Sequence, residues 1–321
     1  MLSGLSLSTV ALLMLAGVVL DWLLGEPRRF HPLVGFGRIA GMIERRCNAG
    51  GDGTKRYLLG IAGWTLAVLP LVMLAAFLLQ AAMGAHTLFG MALHALLLYF
   101  CIGLRSLRDH MLPIASALAA GKLDLARELT SRIVSRDTAR AGESDLAKAA
   151  VESTLENGND AVFGTLFWFA VAGGSGALLF RLANTLDAMW GYRNARFLRY
   201  GWMAARTDDA LNWLPARLTA LSYMLLGDGR RARECWRTQA SAWPSPNAGP
   251  VMSTGAGALG LALGGTAEYD GVMETRPPLG SGKPAEAADI GRAWRLVART
   301  TALWIVAAAS LAFLIERILH A

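Results

Sequence analysis

Cysteine is scarce in this 321-residue sequence: there are three, with no CxxC spacing, Cys101 inside an apolar run and Cys47 and Cys235 far apart. That pattern offers neither a disulfide framework nor a cysteine-based metal site. Charge is scarce too, at 17% of residues against 54% hydrophobic, and whole segments lack it. Tyr57 to Leu104 runs 48 residues without one Asp, Glu, Lys or Arg. That is room for two bilayer crossings of about 20 residues each. No stretch alternates apolar and polar residues over a useful length, and no internal repeat is visible. The expected class is therefore all-α, a polytopic membrane protein of about four to five transmembrane or re-entrant helices, with amphipathic cytoplasmic helices and a Gly/Pro-rich loop region.

The apolar spans are expected at 3–24, 57–80, 86–104, 161–182 and 300–316, within a single domain covering 1–321. The first has no Lys or Arg before its apolar run. Asp21, Trp22 and Gly25-Glu26-Pro27 follow where a small-residue cleavage site would stand, so a retained helix is expected. Gly173-Gly174-Ser175-Gly176 breaks the 161–182 run, which suits a re-entrant or protein-buried hairpin.

The formal net charge is +7, and the 31 basic residues fall mostly between the apolar runs. Gly25–Arg56 holds seven, Leu104–Asp160 eight and Ala183–Arg299 fourteen. This is the positive-inside bias, and it places those segments in the cytoplasm. No aromatic-and-basic pattern or known motif accompanies the charge, so nucleic acid is not an expected partner. Lys122–Val134 sets Ala126, Leu129 and Ile133 at helical spacing, and Asp145–Glu156 follows a Ser144 or Asp145 cap. Asn247–Pro284, rich in glycine and holding four prolines, is expected to be loop-rich and to serve as a lid.

The polar residues that remain are grouped. On a helix Glu152, Glu156 and Asn159 share one face, with Asp160 beside them. Hard oxygen donors grouped this way suit Mg²⁺, although a solvated acidic face has the same pattern. Asn184 and Asp187 precede Gly191-Tyr192-Arg193, and Arg206, Asp208, Asp209, Asn212, Pro215 and Arg217 follow. Polar clusters beside apolar runs are costly unless they are paired, hydrated or functional. Arg28, Arg38, Arg136, Arg206 and Arg217 stand beside turn-forming or acidic residues, as a site for an anionic substrate requires, and as membrane-flanking arginines also do.

Two glycine patterns are discounted. Gly255 to Gly260 satisfies GxGxxG without a preceding strand, and Gly280-Ser-Gly-Lys283 has Pro277 and Pro284 where a Walker A loop needs Gly and Ser/Thr. His86 and His94 sit in apolar surroundings that favour packing or hydrogen bonding over ligation. His31, in a turn-rich entry to the first basic segment, is a candidate substrate contact.

Taken in order, these words resemble the CobD/CbiB family of cobalamin-biosynthesis proteins, adenosylcobinamide-phosphate synthases, over nearly the whole chain. The matching words are Asp21 with GEPRRFHP from Gly25, then Gly35 and Arg38, SRDT from Ser135 and AVES from Ala150. They continue with Glu156-Asn157 and Asp160, LFWF from Leu166, NTLDAMWGYR from Asn184 and AARTDD from Ala204. LNWLPARLTA from Leu211, WPSPNAGP from Trp243 and RPPLG from Arg276 complete the set. One departure is local: many members have ENTSDG where this chain has ENGNDA from Glu156.

The resemblance implies ATP-dependent joining of adenosylcobyric acid to (R)-1-aminopropan-2-ol phosphate, or a related amino-alcohol, at the inner membrane. ATP and Mg²⁺ are then required, the corrinoid is a substrate, and the lipid bilayer and other late enzymes of the pathway are partners. On the matching positions, metal and phosphate handling is expected at Glu156, Asp160 and Asp187, with Glu152 in support. Asp208 or Asp209 is expected to act as base. Arg38, Arg136, Arg206 and Arg217 would hold anionic groups. His31, Asp137, Asn157, Asn184, Asn212, Ser245 and Asn247 would complete substrate binding. The regulatory membrane protein AmpE is related to this family, so a non-catalytic sensor is the alternative.

Overall fold

The computed structural model describes residues 4–27, 31–48, 53–134, 136–269 and 272–319. Arg28 and Ser135, which belong to two of the quoted words, lie outside them. The chain divides into two compact units. The first comprises Met1–Gly103, Gly164–Asn212 and Ile305–Ala321, and the second Leu104–Phe163 and Trp213–Trp304.

The first unit begins with α1 (Leu7–Leu24), capped by the Ser6 hydroxyl, which accepts from the Thr9 amide. Next come α2 (Pro32–Cys47), with proline in the first turn where its missing N–H costs nothing, and α3 (Gly53–Ala85). The turn at His86 separates α3 from α4 (Thr87–Cys101), as the Gly84-Ala85-His86 break predicts. The second unit opens with α5 (Leu104–Ala119), α6 (Leu123–Ser131) and α7 (Glu143–Asn157). The α6 helix is shorter than the expected Lys122–Val134, and Ile133 falls beyond its end. Gly142, and neither Ser144 nor Asp145, stands at the start of α7; the Ser144 hydroxyl instead donates to the Ala285 carbonyl at 3.2 Å.

A π-helical segment, Gly158–Phe163, leads into α8 (Gly164–Trp190). The α8 helix is not straight: Ala172 and Gly173 leave helical dihedrals, with φ at Gly173 of 63°. The chain turns back there. A Cβ on Gly176 would lie 2.3 Å from the Trp168 carbonyl oxygen, and one on Gly164 would lie 2.1 Å from the Phe180 ring. On a straight helix residues eight and sixteen apart stand about 12 and 24 Å apart. The expected hairpin is therefore present, and the apolar run does not cross as one straight helix. The backbone groups freed at the turn find partners: His94 Nδ1 of α4 accepts from the Gly174 amide at 3.0 Å, and the Ser175 hydroxyl donates to the Ala172 carbonyl at 2.9 Å. His94 is thus a packed, hydrogen-bonded histidine.

The core of the first unit gathers Phe36 and Ala40 of α2, Trp64 and Val68 of α3, Leu182, Leu186 and Trp190 of α8, and Tyr200. Gly60 and Gly63 leave room for Tyr200, since a Cβ on either would fall 2.0 to 2.3 Å from its carbonyl or hydroxyl oxygen.

The next helix, α9 (Trp202–Leu226), contributes residues to both units, and the second unit continues with α10 (Gly229–Gln239) and α11 (Ala248–Leu259). The antiparallel strands β1 (Leu261–Tyr269) and β2 (Val272–Gly280) follow, with the short β3 (Lys283–Pro284) parallel to β1, and then α12 (Ala287–Leu319). Asn247–Pro284 is therefore not the loop expected from its composition. Its apolar first part is a buried helix, and its glycines serve a bulged hairpin in which Gly264 and Gly265 both have positive φ. Gly255 and Gly257 lie inside α11 and admit Leu155 and Cys235, so GxGxxG is a packing pattern here.

Among the described residues five helical stretches are long and apolar enough to cross a membrane: Leu7–Leu24, Gly53–Ala85, Thr87–Ala119, Glu143–Trp190 and Ala287–Ile318. The fourth includes the turn at Gly173, so its length overstates a single crossing. Apolar side chains such as Leu58, Met73 and Phe77 of α3 and Phe313 and Leu314 of α12 are exposed along these helices. That is the surface a bilayer covers. The class is all-α and polytopic, with one small three-stranded sheet.

Candidate active site

In the first unit, α8 and α9 bring Asn184, Asp187, Asp208, Asp209 and Asn212 together. Asp208 is buried, and its carboxylate accepts from Asn184 Nδ2 at 3.1 Å and from Asn212 Nδ2 at 3.1 and 3.2 Å. The four-residue spacing of Asp208 and Asn212 puts both on one face of α9. Asp187 is half-buried and lies within electrostatic reach of Asp208 and Asp209. Gly191 makes room for it, because a Cβ there would sit 2.0 Å from Asp187 Oδ1. Burial pushes the half-buried Asp209 carboxyl above the usual carboxylate range, and the charges of Arg206 and Arg193 partly offset this.

The same unit holds a cavity of about 900 Å³. His31, Arg38, Arg181 and Thr185 line it, together with Glu26 and the backbone around Gly35. His31 accepts from the Leu33 amide through Nδ1 at 3.2 Å and faces Glu26 through Nε2 at 3.6 Å. Arg181 and Thr185 fall within the polar segment Arg181–Arg193 but are not among the expected substrate contacts. Their four-residue spacing on a helix was the available signal.

The second unit positions the remaining candidates. Glu152 is buried and doubly engaged: Oε1 accepts from the Gly264 amide of β1 at 2.7 Å, and Oε2 is paired with Arg136. Both oxygens are already used, one tying the β-hairpin to α7 and the other the segment of Arg136. The π-helical register breaks the expected shared face of Glu152, Glu156 and Asn159. Asn159 is buried, accepting from the Thr219 hydroxyl at 3.0 Å and donating to Asp160 Oδ1 at 2.9 Å. Such segments interrupt α-helices at functional sites more often than elsewhere. Gly158 sits against Tyr223, whose hydroxyl would be 2.7 Å from a Cβ. The local departure from ENTSDG is thus built into the packing. Glu156 and Asn157 are half-buried, and Asn157 donates to the Ser153 carbonyl and hydroxyl.

Arg217, Ser245 and Asn247 also meet in this unit. Arg217 donates to Asn247 Oδ1 at 2.7 Å and to the Pro246 carbonyl at 3.0 Å, and stacks over Trp213. The Ser245 hydroxyl accepts from the Ala248 amide at 3.1 Å at the start of α11. Asp137 is exposed and accepts from the Ala139 amide at 2.8 Å, a local turn.

Among the described residues no group of three or more His, Cys, Asp or Glu side chains is placed to hold a metal ion. The carboxylates offer fewer donors than a full shell. A Mg²⁺ ion held by one or two carboxylates and completed by water and substrate phosphates does not require such a group.

The model of the CobD/Cbib protein family matches residues 14–297. A cobalamin biosynthesis protein CobD from Stutzerimonas stutzeri is 53% identical over 93% of this chain and 96% of its own length. One of the same name from Chromobacterium violaceum is 52% identical over 94% and 96%. Another from Mycobacterium tuberculosis is 36% identical over 89% and 90%. No solved structure matches the chain.

Proposed function

The chain belongs to the CobD/CbiB family, which serves cobalamin biosynthesis, and from that premise we propose that it is an ATP-dependent amide ligase. It joins the free carboxylate of adenosylcobyric acid to the amine of (R)-1-aminopropan-2-ol phosphate or a related amino-alcohol. A carboxylate is a poor acyl donor, so its oxygen first attacks the γ-phosphorus of ATP and ADP departs. The amine then attacks the acyl carbon, phosphate leaves, and the nitrogen gives up a proton.

The observation that carries this proposal is the contrast between two adjacent carboxyls. Asp208 is buried and accepts from two side-chain amides, which suits a fixed anion that anchors the cluster. Asp209 is half-buried with its carboxyl raised by burial, which makes it a better proton acceptor than an ordinary aspartate. Within the first unit Asp187 offers a hard oxygen donor for the nucleotide's Mg²⁺. When bound, that ion neutralises charge on the transferring phosphoryl group. Arg38 and Arg181 line a cavity sized for a phosphate-bearing substrate rather than a whole corrinoid. Arg206 adds positive charge beside Asp209. The distribution of basic residues supports a cytoplasmic orientation for these segments at the inner membrane.

The test is purified protein in detergent with adenosylcobyrate, aminopropanol phosphate and MgATP. Amide product by mass spectrometry with one ADP released per product supports the proposal. Absence of both, while a relative from the same family is active in the same assay, rejects it.

A further inference from the structure

The proposed ligation leaves one basic helix without a task. The α10 helix has 11 residues, Gly229–Gln239, and five of its positions are Arg or Glu. Its inner side, Ala232 and Cys235, lies directly on α11: a Cβ on Gly257 would stand 2.8 Å from Ala232 Cα and 3.0 Å from Cys235 Sγ. Contact that close prevents α10 from rolling, so its outer side is held in place. At the N-terminus Asp228 accepts from the Arg231 amide at 3.1 Å and pairs with the Arg231 guanidinium at 3.5 Å.

The other three arginines differ from Arg231. Arg230, Arg233 and Arg237 are exposed, recur at i, i+3 and i+7 on the outer side, and form no ion pair among the described residues. With Glu234 and Thr238 they line an open groove of about 580 Å³. Arg230 with Arg233 and Arg233 with Arg237 are like-charge neighbours, and Glu234 forms no ion pair with Arg230 or Arg237 among the described residues, so helix stability does not account for the stripe.

We propose that this outer face of α10 docks the headgroups of anionic phospholipids. Guanidinium groups match phosphate oxygens in pairs, and a basic stripe on an amphipathic helix is the pattern that binds an anionic leaflet. In sequence α10 lies in the basic segment between the candidate spans Glu143–Trp190 and Ala287–Ile318, where positive charge faces an anionic leaflet. Among the described residues the groove lining contains no aromatic or aliphatic side chain to hold a nucleobase or a corrin ring.

The test uses the full chain purified in mild detergent, with retained lipid counted by native mass spectrometry during titration with phosphatidylglycerol or phosphatidylcholine. The wild type is expected to prefer phosphatidylglycerol. Each Arg→Gln change among the three should weaken that preference about five-fold, and R230Q/R233Q/R237Q together on the order of 100-fold. Arg233→Gln alone serves if the triple variant folds poorly, and the triple Arg→Lys variant should keep most of the preference. Undiminished phosphatidylglycerol binding by a folded triple variant overturns the proposal. So does displacement of the lipid by millimolar inorganic phosphate or ATP, which would assign the groove to a soluble anion. Neither outcome depends on ligase turnover.

Discussion

Replacing Glu152 by Gln separates a structural from a catalytic role for a residue that the sequence places among the catalytic candidates. In the folded protein Glu152 Oε1 accepts from the Gly264 amide and Oε2 is paired with Arg136, with side chains only 7% and 13% exposed. Glutamine keeps one acceptor, but its amide group must point a donor at either the Gly264 N–H or the Arg136 guanidinium. Breaking a fully buried pair costs about 3–5 kcal/mol. One retained hydrogen bond and the partial exposure of Arg136 reduce this to roughly 2–4 kcal/mol. At about 2–4 °C per kcal/mol, the melting temperature should fall by roughly 4–16 °C. The assay is thermal unfolding in detergent followed by tryptophan fluorescence, with limited proteolysis of the β1–β2 hairpin and turnover measured below the melting temperature. Gly264→Ala should loosen the same hairpin without touching the carboxylate, because φ at Gly264 is 74° and a Cβ there would meet the Pro277 carbonyl at 2.3 Å. A Glu152→Gln protein with unchanged melting and proteolysis but no turnover would refute the structural assignment and return Glu152 to the chemistry.

Asp209→Asn is expected to lower ligase turnover at least 100-fold, as loss of a general base does, with less than about 1 kcal/mol change in stability. Because the Asp209 carboxyl is raised and must be unprotonated to accept a proton, wild-type turnover should fall on acidification at a pH above the ordinary carboxylate range. A pH–rate profile whose acid limb lies at or below that range would contradict the role. Glu44→Gln should destabilise the first unit by about 1–3 kcal/mol, since Arg196 donates to both Glu44 oxygens, at 3.0 and 2.6 Å. Hydrogen bonds from Arg196 hold the Glu44 carboxyl below its usual 4.5, so the pair contributes fully above that pH. Its contribution is lost as pH falls through the lowered value, which unfolding curves of wild type and variant between pH 3 and 7 should show converging. Gly176→Ala forces a methyl to within 2.3 Å of the Trp168 carbonyl and should cost about 1–3 kcal/mol in thermal unfolding. No loss of stability there would argue against the tight return of α8.

Much of the fold could be read from the chain because its strongest signals are local. Apolar runs set the long helices, the His86 turn ends α3, and Gly173-Gly174-Ser175-Gly176 breaks α8 where only glycine tolerates φ near 63°. The hairpin of β1 and β2 was not legible. Its strands hold three glycines and two prolines and lack an alternating face. They are ordered by a bulge, by Glu152, and by Gln239, which exchanges two hydrogen bonds with the Gly280 backbone. The π-helical segment at Gly158–Phe163 was equally hidden, since its extra residue per turn comes from packing against Tyr223 and Thr219 rather than from any propensity of Gly-Asn-Asp.

The sequence by itself determined which segments are apolar enough to enter a bilayer, which clusters of Asn, Asp and Arg lie beside them, and which family the chain joins, because each depends on residues adjacent along the chain. Only the tertiary structure decided how the carboxylates divide their work. Glu152 is held by a backbone amide 112 positions away, Asp208 by Asn184 from another helix, and Asp209 has the raised carboxyl. Burial and hydrogen-bond partners set the charge state of a carboxyl group, and folding alone supplies both.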